Sequence, residues 1–252
     1  MPLKLPEVPF RLRDLLLPGL PYRDVPELID TPEAGSESEL RRILFDLRMG
    51  NIFGGTAVTL GHLESLTARW PRGKPLSLLD LATGMADIPL AISRWARRRG
   101  IPVNLVATDA SPEVLEIARN FLGGRFGIQL QVQDARRLPY QDRSFDVVTC
   151  SLALHHFTRR DAVCVLREMA RLSRVGFIVS DLERSIPPYV ASRLAGLNPL
   201  ISSWTRHDGP ASVQRAYTPY ELAVMTHEAG VKNAQVHRHP LWRLALVGRT
   251  GG

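Results

Sequence analysis

Apolar residues fall into two rhythms along this chain. Before about residue 75 they recur at helical spacing. From 76 onward, short apolar runs alternate with helically spaced segments. LSLLDLA (76–82) is an uninterrupted apolar run ending in an acid and small residues, the pattern of a strand buried on both faces. Further runs at 102–109, 128–132, 145–150 and 176–180 predict parallel partners for it. Between them, helices are predicted at 88–98, after the Ser111-Pro112-Glu113 start signal, and from Asp161 to about Leu172. Thr218-Pro219-Tyr220-Glu221 reads as a capping box opening a helix that ends at Gly230, and runs near 232–237 and 242–248 close the chain as neighbouring antiparallel strands. Strand and helix in alternation define an α/β chain: a doubly wound, mostly parallel seven-stranded sheet with an antiparallel edge strand.

The first 75 residues carry no strand pattern. Ser36-Glu37-Ser38-Glu39 has capping-box spacing and precedes Leu40, Ile43, Leu44 and Leu47 at helical period, and a second helix is expected over 58–68. The Trp70-Pro71-Arg72-Gly73-Lys74-Pro75 stretch is the boundary. The expected organisation is a helical N-terminal cap or substrate lid (1–75) on a sheet domain (76–252) that carries an apolar insertion at about 184–217.

Length and composition narrow the class. At 252 residues and 28.1 kDa, with 44% hydrophobic and 23% charged residues, the chain is in the globular range. It has no run of about 18 apolar residues to span a membrane. The N-terminus, with Pro2, Pro6 and Pro9 among charges, lacks a signal-peptide core. A cytoplasmic location is expected. Cys150 and Cys164 lie in apolar segments without metal-finger spacing and read as buried thiols. The charge of +7 is almost entirely arginine, since Lys4, Lys74 and Lys232 are the only lysines. The arginine clusters are short, and aromatics make up only 7%, which argues against a nucleic-acid partner needing a continuous basic face with stacking platforms.

Ligands of such sheets bind at the carboxyl ends of the strands. Four positions there carry chemistry. The first strand runs into Asp80-Leu81-Ala82-Thr83-Gly84-Met85-Ala86-Asp87, a turn of small residues with Gly84 where backbone must approach a ligand closely; Asp87 either orients this loop or caps the next helix. Asp109, followed by Ala110, ends the second strand where a carboxylate can accept two ribose hydroxyls. Asp134 and Ala135 follow the third strand; Asp134 can accept from an exocyclic amine or pair with Arg136 and Arg137. Ser151 to Phe157 follow the fourth strand and include His155 and His156. A nicotinamide cofactor would require G-x-G-x-x-G after the first strand, and the second and third glycines are missing.

This ordered set resembles the class I S-adenosylmethionine-dependent methyltransferases, whose fold is Rossmann-like, and D-L-A-T-G-M-A-D is most similar to the loop of ubiquinone and menaquinone biosynthesis enzymes. The resemblance covers about residues 76–182, with alanine at Ala82 and Ala86 where many members carry glycine. It implies S-adenosylmethionine as cofactor and S-adenosylhomocysteine as product. Asp80 and the Ala82–Thr83–Gly84 backbone would hold the methionine part, Asp109 with Ala110 the ribose, Asp134 and the Ala135 amide the adenine, and Ser151 would line the same pocket. The implied reaction is in-line methyl transfer to a small hydroxylated aromatic, quinol or polyketide-like acceptor, with a small-molecule partner and no membrane span.

An imidazole near neutral pKa suits deprotonation of a phenol or enol, which makes His155 and His156 the catalytic candidates. Asp181 and Glu183 follow the fifth strand and could meet a polar substrate group. No metal is expected, because the several placed carboxylates of a catechol-type site are missing. Residues 186–203 are largely apolar and read either as a substrate cover or as plain packing or the contact of a homodimer. Arg206 and His207, in the polar stretch Trp204–Gly209, are candidates for substrate contact or a surface turn. The rival functions are an RNA methyltransferase and a non-catalytic protein that retains cofactor binding.

Overall fold

The computed structural model describes residues 19–30, 36–124, 126–199 and 201–251. The N-terminal prolines discussed above therefore lie outside the described residues, as does part of the expected cap.

The first element is a 3₁₀ turn, Leu28–Asp30, followed by α1 (Glu37–Gly50), a π-helical turn (Asn51–Gly55) and α2 (Thr56–Leu66). The alternating part runs β1 (Leu76–Leu81), α3 (Asp87–Arg98), β2 (Val103–Asp109), α4 (Pro112–Leu122), β3 (Gln129–Val132), β4 (Phe145–Ser151), a 3₁₀ turn (Leu154–His156), α5 (Arg159–Leu172) and β5 (Ser173–Leu182). It closes with α6 (Ile186–Ala195), α7 (Ser203–Arg215), α8 (Pro219–Glu228), β6 (Ala234–His239) and β7 (Arg243–Arg249). The helix starts read from sequence are realised chemically. Ser36 and Thr218 each form a capping box, and Ser111 accepts from the Val114 amide.

The seven strands lie in the order β3-β2-β1-β4-β5-β7-β6, with parallel pairs from β3 through β5. β7 enters antiparallel between β5 and β6, so the closing hairpin forms one margin of the sheet and β6 is outermost. Strand parity divides the core. Leu79, Leu81, Val148, Cys150 and Val179 face α5 and α8, while Leu76, Leu78, Val147, Ile178 and Val247 face α2 and α3. At Gly248, paired with Phe177, an added Cβ would come within 2.1 Å of the phenyl ring, so only glycine lets that ring sit flat against β7.

Several expectations are corrected. Val58, Leu63 and Leu66 of α2 share a core with Leu76 and Leu78, so this helix is a layer of the sheet domain rather than part of a cover. Among the described residues, the turn at Leu28–Asp30, α1 and Asn51 of the π-helical turn meet the strand-end loops and cavity. The apolar insertion forms α6 and α7, and its polar stretch at 204–209 is helical rather than a turn because Ser202 caps the Thr205 amide. Cys150 is fully buried, whereas Cys164 on α5 is only partly covered.

Candidate active site

The loop after β1 is shaped by left-handed backbone at alternate residues, with φ of 48° at Ala82, 53° at Gly84 and 59° at Ala86. Two alanines thus hold a conformation that costs an L-residue about 1–2 kcal/mol, which identifies the geometry that glycine supplies elsewhere in this kind of loop. The loop is fixed from below and from the side. Asp80, buried at the end of β1, accepts from the hydroxyls of Thr83 (2.7 Å) and Thr149 (2.5 Å). Burial pushes its carboxyl up to about 7 against these bonds. Asp109 accepts from the Gly84 amide at 3.0 Å and the Ser111 amide at 3.2 Å, and burial also raises its carboxyl. Asp87 is the first residue of α3 rather than its N-cap: it is half-buried, hydrogen-bonded to the Asn51 side chain, with its carboxyl raised by burial. Leu44 of α1 lies over Gly84, 3.7 Å from where a Cβ would stand.

The other predicted positions are divided. Ser151 shares a hydroxyl hydrogen bond of 3.2 Å with Thr59. Ala135 is buried, Ala110 is exposed at the strand end, and Asp134 is engaged by Arg136, whose Nε and Nη2 donate to it over 2.7–3.0 Å and hold its carboxyl low. Glu183 pairs with Arg238 of β6 at 3.1 Å. Arg206 and His207 are exposed and stand off the strand-end cavity, because Thr205, Asp208, Gly209 and Ser212 occupy the inner face of α7. Arg206 donates to the Ile201 carbonyl, and His207 pairs with Asp208 at 2.9 Å.

Beyond β4 and β5 the chain builds a cavity of ≈ 270 Å³ under α1, α6 and α7. Its walls are mainly apolar, with Ile43, Leu47, Leu152, Pro188 and Ala191 among them, and its polar groups include Glu27 and His155. His155 Nδ1 lies 2.6 Å from Asp181 Oδ1, and Asp181 also accepts from the His155 amide at 3.2 Å. Burial would raise the Asp181 carboxyl, but the adjacent imidazole outweighs it and the carboxyl is lowered. The next imidazole repeats the arrangement: His156 Nδ1 lies 3.0 Å from both oxygens of Asp30, which Arg215 also holds at 2.7 Å. Burial would lower the His156 imidazole, but the Glu27 and Asp30 carboxylates prevail and raise it to about 9. Both Nε2 atoms face Glu27, at 3.6 Å for His155 and 3.9 Å for His156.

Glu27 and Asp30 have no signal in the sequence. They stand some 125 residues before the histidines, in a stretch without periodicity, and only the path of the chain across α7 brings them in. Ser212 of α7 donates to Glu27 at 2.6 Å, and the Leu28 amide donates to Asp208 at 2.9 Å.

The parallel sheet of this order, the left-handed small-residue loop after β1 and the carboxylate that ties it from β2 agree with the Rossmann-like arrangement expected from the sequence. Residues 78–176 match the model of a methyltransferase domain family. The chain is similar to a demethylmenaquinone methyltransferase of Deinococcus radiodurans (36% identity over 103 residues, 40% of each chain) and to one of Thermotoga maritima (38% over 107 residues, 42% of each). The matched stretch thus spans about two fifths of these relatives. In fold, the chain is similar to human N-acetylserotonin methyltransferase in complex with SAM, with a TM-score of 0.63 and 19% identity over 90% of this chain and 61% of that one. Among the described residues, no helix is long and apolar enough to cross a membrane.

Proposed function

We propose that the protein methylates a small hydroxylated aromatic, quinol or polyketide-like molecule bound in the cavity beneath α1, α6 and α7. The observation that carries this reading is the buried Glu27–His155 pair, backed by Asp181, in a mainly apolar wall that also carries Asp46, Asp208 and Arg243. Such a wall accommodates a ring and sets a few polar groups around it. The similarity to demethylmenaquinone methyltransferases supports an acceptor of this class.

When bound, S-adenosylmethionine supplies a methyl group already activated on a sulfonium, open to in-line displacement. The residues of the chain align, desolvate and ionise. Asp80 and the Ala82–Gly84 backbone would hold the methionine part, Asp109 with Ala110 the ribose, and Asp134 with Ala135 the adenine, while Ser151 would line the same pocket. Leu44 closes the loop from above, which keeps water from the transfer path. A hydroxyl placed in the cavity meets Glu27 and His155, which offer acceptors for its proton, and Asp181 fixes the orientation of His155. Turnover on a panel of phenols, quinols, amines and carboxylic acids with methyl-labelled cofactor tests the reading. Label is expected in the hydroxylated aromatics, and label only in amines or carboxylates would overturn it.

A further inference from the structure

We propose that Glu27, His155 and His156 form a binding site for one divalent first-row transition-metal ion at the wall of the acceptor cavity. The inference rests on the proposed function only for the use of the ion; the site itself stands on geometry.

The ligating atoms of the three residues lie within 4.8 Å of one another. Glu27 is 1% exposed and His155 3%. Glu27 uses one carboxylate oxygen, Oε2, to accept from Ser212, and the other, Oε1, is buried without a hydrogen-bond partner. His155 Nδ1 can donate to Asp181 and His156 Nδ1 to Asp30, which leaves Nε2 of each ring directed at Glu27. His155 Nε2 stands 3.6 Å from Oε1 and His156 Nε2 3.9 Å from Oε2, both separations being too wide for a hydrogen bond, which needs about 2.7–3.2 Å. They lie within a few tenths of an ångström of the roughly 3.4 Å that separates tetrahedral donors each about 2.1 Å from one ion.

The surroundings match a metal centre as well. A ligating histidine almost always gives its second nitrogen to a carboxylate or carbonyl, and here both do. Two imidazoles and one carboxylate leave coordination positions open, the arrangement of catalytic rather than structural zinc. Those positions face the cavity that Glu27 and His155 line, so an acceptor oxygen can complete the shell and ionise by coordination. Arg215, on Asp30, keeps the outer carboxylate from competing as a fourth ligand.

The test uses the full chain stripped with a chelator, titrated with Zn²⁺ against a chromophoric chelator and with Co²⁺ by visible absorption. One equivalent should bind, Co²⁺ giving the intense bands of a four- or five-coordinate site. Glu27→Gln and His156→Ala, each confirmed folded by circular dichroism, should weaken binding at least tenfold. His62→Ala, which removes the imidazole pair His62–His239 beside β6, should not. Absence of binding below about 100 μM, or binding that survives Glu27→Gln and is lost in His62→Ala, would overturn the site. Full transfer to a phenol by stripped enzyme, with no metal bound, leaves the proposed function standing and overturns the metal. One bound equivalent with no transfer to any hydroxylated aromatic upholds the site and overturns the proposed acceptor.

Discussion

The backbone amide of Gly84 donates to Oδ2 of Asp109 over 3.0 Å, tying the loop after β1 to the end of β2 across 25 residues. In the proposed function the same carboxylate faces the ribose of the cofactor, so it would hold the loop and meet the ligand at once. Asp109→Ala should therefore weaken S-adenosylhomocysteine at least tenfold, about 1.4 kcal/mol, by calorimetry. An unchanged affinity in a folded variant would remove Asp109 from the site.

Asp80 gives the pH dependence. Its buried carboxyl, raised to about 7, is neutral below that pH and ionised above it. In the proposed seat for the methionine part, the cofactor ammonium would favour the ionised form, so binding would lower the Asp80 pKa and release a proton. Affinity should fall as pH drops from 8 to 6, by up to about tenfold per unit below the pKa. Asp80→Asn should bind more weakly at pH 8 and show a flatter profile; parallel profiles in the two proteins would refute the assignment.

At the acceptor end, His155→Gln should lower kcat by about 10²–10⁴-fold while S-adenosylhomocysteine affinity stays within about twofold. Single-turnover rates with a phenolic acceptor separate the two effects. Equal losses in binding and rate would place His155 in the cofactor pocket instead.

Core packing makes its own prediction. Gly248→Ala drives a methyl group into the Phe177 ring and should cost about 1–3 kcal/mol in a urea titration. Phe177→Leu in the same chain should recover part of that loss, since the two residues are paired neighbours. Full additivity of the two substitutions would contradict the packing.

What could be read from sequence follows from where information is local. The β1 run, the capping boxes at Ser36 and Thr218, and the proline start at Pro112 all encode their element within a few residues, and each is found where the pattern put it. The acids after β1 and β2 were legible because a parallel sheet places strand ends together. The polar wall of the cavity was only half legible. His155, His156 and Asp181 sit at strand ends, but Glu27 and Asp30 reach them through tertiary packing against α7, which leaves no periodic trace. Arg206 and His207 misled for the opposite reason: their stretch is helical, and a helix turns adjacent residues away from the face that its i+3 and i+4 neighbours share.

The most direct measurement is calorimetric titration of the folded protein with S-adenosylmethionine, S-adenosylhomocysteine and NAD. One-to-one binding of the first two at micromolar dissociation constants, with no heat from NAD, is the predicted result. A folded sample that binds neither methyl-cycle ligand, or that binds NAD equally well, would contradict the methyltransferase site built around Asp80, Gly84 and Asp109.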